Sequence, residues 1–104
     1  ATINKHHPSF KDTYSGENPE SYHNGDSWYF INNITAICLN RLDKKLYKKY
    51  INKILKSSTD DILYNGFIGH ASELSSAKEF SSEASLCQAW SAATYIELIH
   101  ELFF

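Results

Sequence analysis

Methionine is absent from these 104 residues, cysteine and proline occur twice each, and glycine only four times. So little glycine and proline excludes a fibrous or loop-dominated chain. Cys38 and Cys87 are too few for a disulfide framework, and they read as free thiols of an intracellular, cytoplasmic protein. Both fall on apolar helical stripes, which predicts small core residues. No apolar run reaches the roughly 18 residues that cross a bilayer, and Ala1–Phe10 is polar, with no signal-peptide core. No membrane partner is expected. An excess of positive charge is missing too: 10 basic and 12 acidic residues give a net charge of −2. A chain without net positive charge is poorly matched to a phosphate backbone, so no nucleic-acid partner is expected. The missing initiator methionine predicts a processed chain or a piece of something longer.

What is present is apolar and aromatic. Hydrophobic residues make up 42% of the chain and aromatics 14%, enough for an ordered core. Residues 1–26 are polar and turn-rich and read as loop. From Ser27 the pattern becomes helical, with Trp28, Ile31, Ile34, Cys38 and Leu42 three or four residues apart. Asp26 or Ser27 is the natural N-cap. A turn near Asp43 separates this helix from a second one, whose apolar stripe is Leu46, Tyr47, Tyr50, Ile51, Ile54 and Leu55. Arg41, Lys44, Lys45, Lys48, Lys49, Lys53 and Lys56 are seven of the ten basic residues, and a solvated helix face is the expected role, ahead of a nucleic-acid or membrane patch. Ser58, Thr59 and Asp60 offer a fresh cap, and Asn65-Gly66 a stop. Residues 66–82 then read as a second loop and 83–104 as a closing helix, without strands. The sequon Asn33-Ile34-Thr35 lies inside a helical pattern and is read as fortuitous. Two long loops in a short helical chain are where a site is expected.

Few chemical motifs survive inspection. There is no phosphate loop, no GxSxG and no paired CxxC. His100-Glu101 opens like a zinc-protease motif, but Phe104 stands where its second His belongs. His6, His7, His23 and His70 follow no metal-ligand spacing, so neither metal nor cofactor is expected. One carboxylate remains in a functional setting, Glu73 within Gly66-Phe67-Ile68-Gly69-His70-Ala71-Ser72-Glu73-Leu74. Its glycines let backbone turn tightly and approach a ligand. A solvated loop carboxylate or a helix cap is the competing reading.

Three blocks, in order, resemble the C-terminal glucosidase domain of glycogen debranching enzymes, the amylo-α-1,6-glucosidase type. Tyr22-His23-Asn24-Gly25-Asp26-Ser27-Trp28 is similar to its YHNGxxW motif, and the Gly66–Leu74 block to its GxxGxxSE[IL] motif. Gln88-Ala89-Trp90-Ser91-Ala92-Ala93 is similar to its QAWSxA block. The last two also resemble the corresponding region of glucoamylases. The family often has proline after the motif tryptophan, where this chain has Tyr29.

The resemblance implies an all-α fold, with residues 1–104 as C-terminal helices of an (α/α)₆ barrel, a partial toroid. It implies Glu73 as the general base of an inverting hydrolysis that releases glucose from α-linked glucan at α-1,6 branch points of glycogen. Tyr22, His23, Asn24 and Trp28 would then hold the sugar, with Trp90 as support. One carboxylate cannot serve as both acid and base, so the remainder of the same protein is the expected partner that carries the general acid. Asp26 is a conceivable acid within the chain. A glucoamylase-like exo-hydrolase and a non-catalytic carbohydrate-binding or regulatory module are the alternatives.

Overall fold

The computed structural model describes residues 2–16 and 19–104. Most of them lie in two helices that pack together, with a short helix and a small sheet at one end. The order is α1 (Pro19–Asn24), β1 (Ser27–Trp28), α2 (Tyr29–Tyr64), β2 (Leu74–Ser75), β3 (Ser82–Glu83) and α3 (Ala89–Phe103). The helical class matches the expectation from sequence. The strands are an addition. They form an antiparallel sheet in the order β1-β2-β3, pairing Trp28 with Leu74 and Leu74 with Glu83. Strands of two residues are too short to carry a period-two signal. α1 is likewise only six residues long, and it replaces the end of what reads as loop.

α2 spans 36 residues and is broken at Asp43, whose backbone is extended (φ −161°, ψ 95°). The cause is visible in the side chain. Asp43 Oδ1 accepts from the amides of Lys45 at 3.0 Å and Leu46 at 2.9 Å, so it caps the second half of the helix. The break at this residue is the one the sequence predicts. The cap at 58–60 is not used, because helix continues unbroken to Tyr64. Thr59 Oγ1 instead donates back to the Leu55 carbonyl and pairs with the Tyr95 hydroxyl on α3.

The expected N-caps are also otherwise employed. Trp28 occupies the cap position of α2 with no side-chain bond. The Tyr29 amide donates to the backbone carbonyl of Glu73 at 3.2 Å, so the distant loop satisfies a first-turn donor. A proline at 29 would have no such amide. Asp26 is fully buried and accepts from Ser21 Oγ at 2.8 Å, while Ser27 Oγ accepts from Asn32 Nδ2.

The break folds α2 against α3. Ala36 and Ile37 from its first half, Ile51 from its second and Leu98 from α3 form the core, flanked by Leu39, Tyr47, Ile54, Leu55 and Leu102. Burying a side chain such as Leu98, which has no exposed surface, contributes about 1.5–3 kcal/mol. A polar layer adds register. Buried Asn33 accepts from Ser58 Oγ at 2.7 Å and donates to Thr94 Oγ1 at 3.3 Å, tying both halves of α2 to α3. That burial accords with reading the sequon as fortuitous.

Several apolar positions do not face this core. Ile31, Ile34, Leu42 and Leu46 on α2 and Trp90 and Ile96 on α3 are all more than two-fifths exposed. Cys38 and Cys87 are exposed as well, which corrects the expectation of core thiols. One helix-helix seam occupies only part of each apolar stripe, and Cys38 lies outside it. α3 begins at Ala89, six residues after the closing helix was expected. Glu83 pairs in the sheet instead, and Ala84 is left-handed (φ 61°), which interrupts any helix there.

Candidate functional site

The segment between α2 and α3 is fixed at its start by a buried carboxylate. Asp61, on the last turn of α2, accepts from the Ser72 amide at 2.7 Å and from the Ser82 hydroxyl. Gly66 makes this possible: its φ is +41°, and a Cβ there would stand 2.6 Å from Ser72 Oγ. Asn65-Gly66 thus ends α2 as the sequence predicts, and the chain turns back beneath the helix end. Gln88, at the cap of α3, donates its amide to the Ala71 carbonyl at 2.8 Å.

Glu73 follows directly, and it is only 9% exposed. Its backbone amide donates to the Ser85 carbonyl at 2.7 Å, and the Ser85 amide donates to Glu73 Oε2 at 3.1 Å. The Tyr22 hydroxyl donates a short hydrogen bond to Oε1. Tyr22 and Ser85 thus take one carboxyl oxygen each. Its neighbours hold it in one orientation.

Tyr22 arrives from α1, and its place depends on the turn that follows. Gly25 is buried, and a Cβ on it would lie 1.6 Å from the Lys11 carbonyl oxygen. Only glycine lets residue 11 cross here, where the Lys11 amide donates to the Asn24 carbonyl at 3.1 Å. Asp26 closes the turn, its amide bonded to the Ser21 carbonyl and its Oδ2 to the Ser21 hydroxyl. Among the described residues its Oδ1 is buried without a hydrogen-bond partner, and desolvation pushes this carboxyl up from the ordinary range.

An aromatic wall runs away from Glu73. The Tyr22 and Trp28 rings meet edge to face at 4.4 Å, Trp28 and Phe30 at 5.9 Å, and Phe30 and Trp90 at 5.4 Å. Trp28 Nε1 donates to the Tyr22 carbonyl at 3.1 Å, which locks the two together. The Tyr22 phenol is pushed up to about 12, first by its hydrogen bond to Glu73, then by burial and by the Glu73 charge. It therefore stays a donor throughout the physiological range.

The structure brings Tyr22, Trp28 and Glu73 into one cluster. His23 is exposed, its ring edge-on to Tyr22 at 5.1 Å, at the outer side of the cluster. Asn24 is half-buried, and its backbone carbonyl is what the arm uses. Sequence reasoning missed Ser85, which reaches Glu73 through backbone atoms that no side-chain motif encodes. It missed Phe30, two residues beyond a recognised tryptophan. Trp90 is 65% exposed and continues the wall rather than buttressing it from behind.

Among the described residues, no group of three or more His, Cys, Asp or Glu could hold a metal ion. No helix of the described residues is long and apolar enough to cross a membrane. No curated protein and no solved structure matches the chain. The model of one protein family does, and over nearly the whole length. It covers residues 1–97, from the arm that crosses Gly25, through the carboxylate and its aromatic wall, into α3. The chain therefore belongs to the amylo-alpha-1,6-glucosidase family, and is a region of a glycoside-hydrolase-related debranching enzyme.

Proposed function

We propose that Glu73 is the general base of an inverting glycosidase that releases glucose from α-1,6 branch points of an α-glucan such as glycogen. The observation that carries this reading is the setting of its carboxylate. It is nearly buried, orientated by Tyr22 and Ser85, and bordered by Trp28. A general base needs a fixed carboxylate with a free acceptor position toward a water. Sugar rings need aromatic faces for their C–H surfaces and polar groups for their hydroxyls. Trp28 supplies the first, and His23 and Asn24 at the edge of the cluster supply the second.

In this reading the chain forms C-terminal helices of an (α/α)₆ barrel. The apolar surfaces of Ile31, Ile34 and Ile96 would meet further helices of the same protein. The general acid would come from that remainder. Asp26 is ill placed for the role, since its carboxyl is sealed in the α1–β1 turn. Inversion requires the two carboxyls to stand roughly 6.5–9.5 Å apart, with water between base and sugar.

The test is Glu73→Gln in the full-length protein, acting on a branched α-glucan. The shape is kept and the proton acceptor is lost. The expected fall in kcat is about 10²–10⁴-fold with little change in KM. Proton NMR of a fresh wild-type digest should show β-glucose first. Near-normal kcat in the variant, or α-glucose as first product, removes Glu73 from this role.

A further inference from the structure

A second concavity lies beside the β2–β3 turn, bounded by the N-terminal arm. It is an open groove of about 460 Å³, within the range of small-ligand sites. The arm is anchored there by the Lys78 amide, which donates to the Asp12 carbonyl at 2.9 Å. Ser27 and Ser75 sit side by side on paired strands and line it. Phe10 and Phe80 provide aromatic surface, and Lys5 and Lys78 provide donors.

Phe80 is the unusual member. Its ring is 74% exposed, and its backbone is left-handed (φ 57°). A bulky residue rarely adopts that conformation, and a ring left in solvent gains nothing from it. Such strain concentrates at ligand clamps and functional loops, where the surroundings hold it in place. The flanking bonds do so here: Ser76 donates its amide to the Ser81 carbonyl at 3.1 Å, and the two hydroxyls pair at 3.0 Å.

We infer that this groove is a second carbohydrate subsite, with the Phe80 ring as the platform on which a glucose unit of an α-glucan chain stacks. The serine hydroxyls both donate and accept, as sugar hydroxyls require. Lys5 and Lys78 donate, and Asp12, also on the groove wall, accepts. A mixed set of this kind fits a neutral polyol better than an anion. The ligand class rests on the hydrolase reading above, but none of the groove residues named here belongs to the Glu73 cluster.

The experiment titrates the full-length protein, its aromatic rings isotope-labelled, with maltoheptaose and follows the ring resonances by NMR. Saturable shifts are expected at Phe80 and Phe10. Phe80→Gly should weaken binding about tenfold, as the loss of one stacked ring does. It should also hold or raise the thermal midpoint, because glycine accepts the left-handed backbone. Lys78→Ala, at an exposed position, is the second variant and should weaken binding less. Shifts confined to Tyr22 and Trp28, no shifts at all, or wild-type affinity in Phe80→Gly would each overturn the subsite. If the groove fails while Glu73→Gln still loses hydrolysis, the hydrolase reading stands alone. If the groove binds while Glu73→Gln hydrolyses normally, the groove stands and the base assignment falls.

Discussion

Tyr22 packs its ring on Trp28 and gives its hydroxyl to Glu73. The two roles separate cleanly in Tyr22→Phe, which keeps the ring and removes the donor. A hydrogen bond to a charged group is worth about 1.5–3 kcal/mol, so a loss near the lower bound is expected at this partly exposed residue. The titration of the chain should change as well. Of seven tyrosines, Tyr22 and Tyr29 are both pushed up, Tyr22 mainly by its bond to Glu73 and Tyr29 mainly by burial. A raised phenol favours the protonated form in the fold. Its stabilising contribution is complete below pH ~10, the unfolded value, and drains away as pH rises toward about 12. Absorbance at alkaline pH should therefore show one late-titrating phenol fewer in the variant than in the wild type. An unchanged number would mean that Tyr22 does not hold Glu73.

Among the elements, the break in α2 is the most informative. Asp43 is an N-cap in mid-helix, and Asp43→Ala should cost about 1 kcal/mol in urea unfolding, as lost caps do. Asn33→Ala should cost more, about 1–3 kcal/mol, because Ser58 would be left without its acceptor beneath the helix seam. Equal losses in the two variants would contradict the buried network. These same elements mark what is legible in sequence. The Asp43 break and the Asn65-Gly66 stop are both local, set by one side chain or one backbone angle, and both can be read in advance. The start of α3 cannot. Glu83 has good helical context, but it is claimed by Leu74 across the sheet, and no window centred on Glu83 includes its partner. The α2 cap fails for the same reason, since its acceptor is the Glu73 carbonyl, far along the chain.

For the whole molecule, Tyr22, Trp28 and Glu73 were legible as candidates, and the geometry that gathers them was not. Tyr22, Trp28 and Glu73 stand in blocks that a reader can recognise, yet nothing in those blocks tells that the Tyr22 hydroxyl meets Glu73, or that Ser85 holds the other oxygen. Long-range pairing does that, through a sheet of two-residue strands. The exterior carries a further expectation. Ile34 and Ile96 both line one open hollow between α2 and α3, and Phe103 and Phe104 are exposed nearby in sequence. Apolar patches beyond a few hundred Å² favour association. In isolation the chain should sediment above its 11.9 kDa monomer mass, and Ile34→Lys with Ile96→Lys should shift it back. A wild-type monomer at high concentration would show that these surfaces need no cover.

The arm that crosses Gly25 sets a genetic limit. The four glycine codons share their first two bases, so only third-base changes are silent there. Every first-base or second-base change installs a side chain or a stop. A side chain at 25 meets the Lys11 carbonyl at a distance no atom pair tolerates. The backbone of residue 11 would have to move, and with it the arm that walls the Phe80 groove and the turn that aims Tyr22. Two separate surfaces thus share one point of mutational vulnerability, at a residue that contributes no atom of its own chemistry to either.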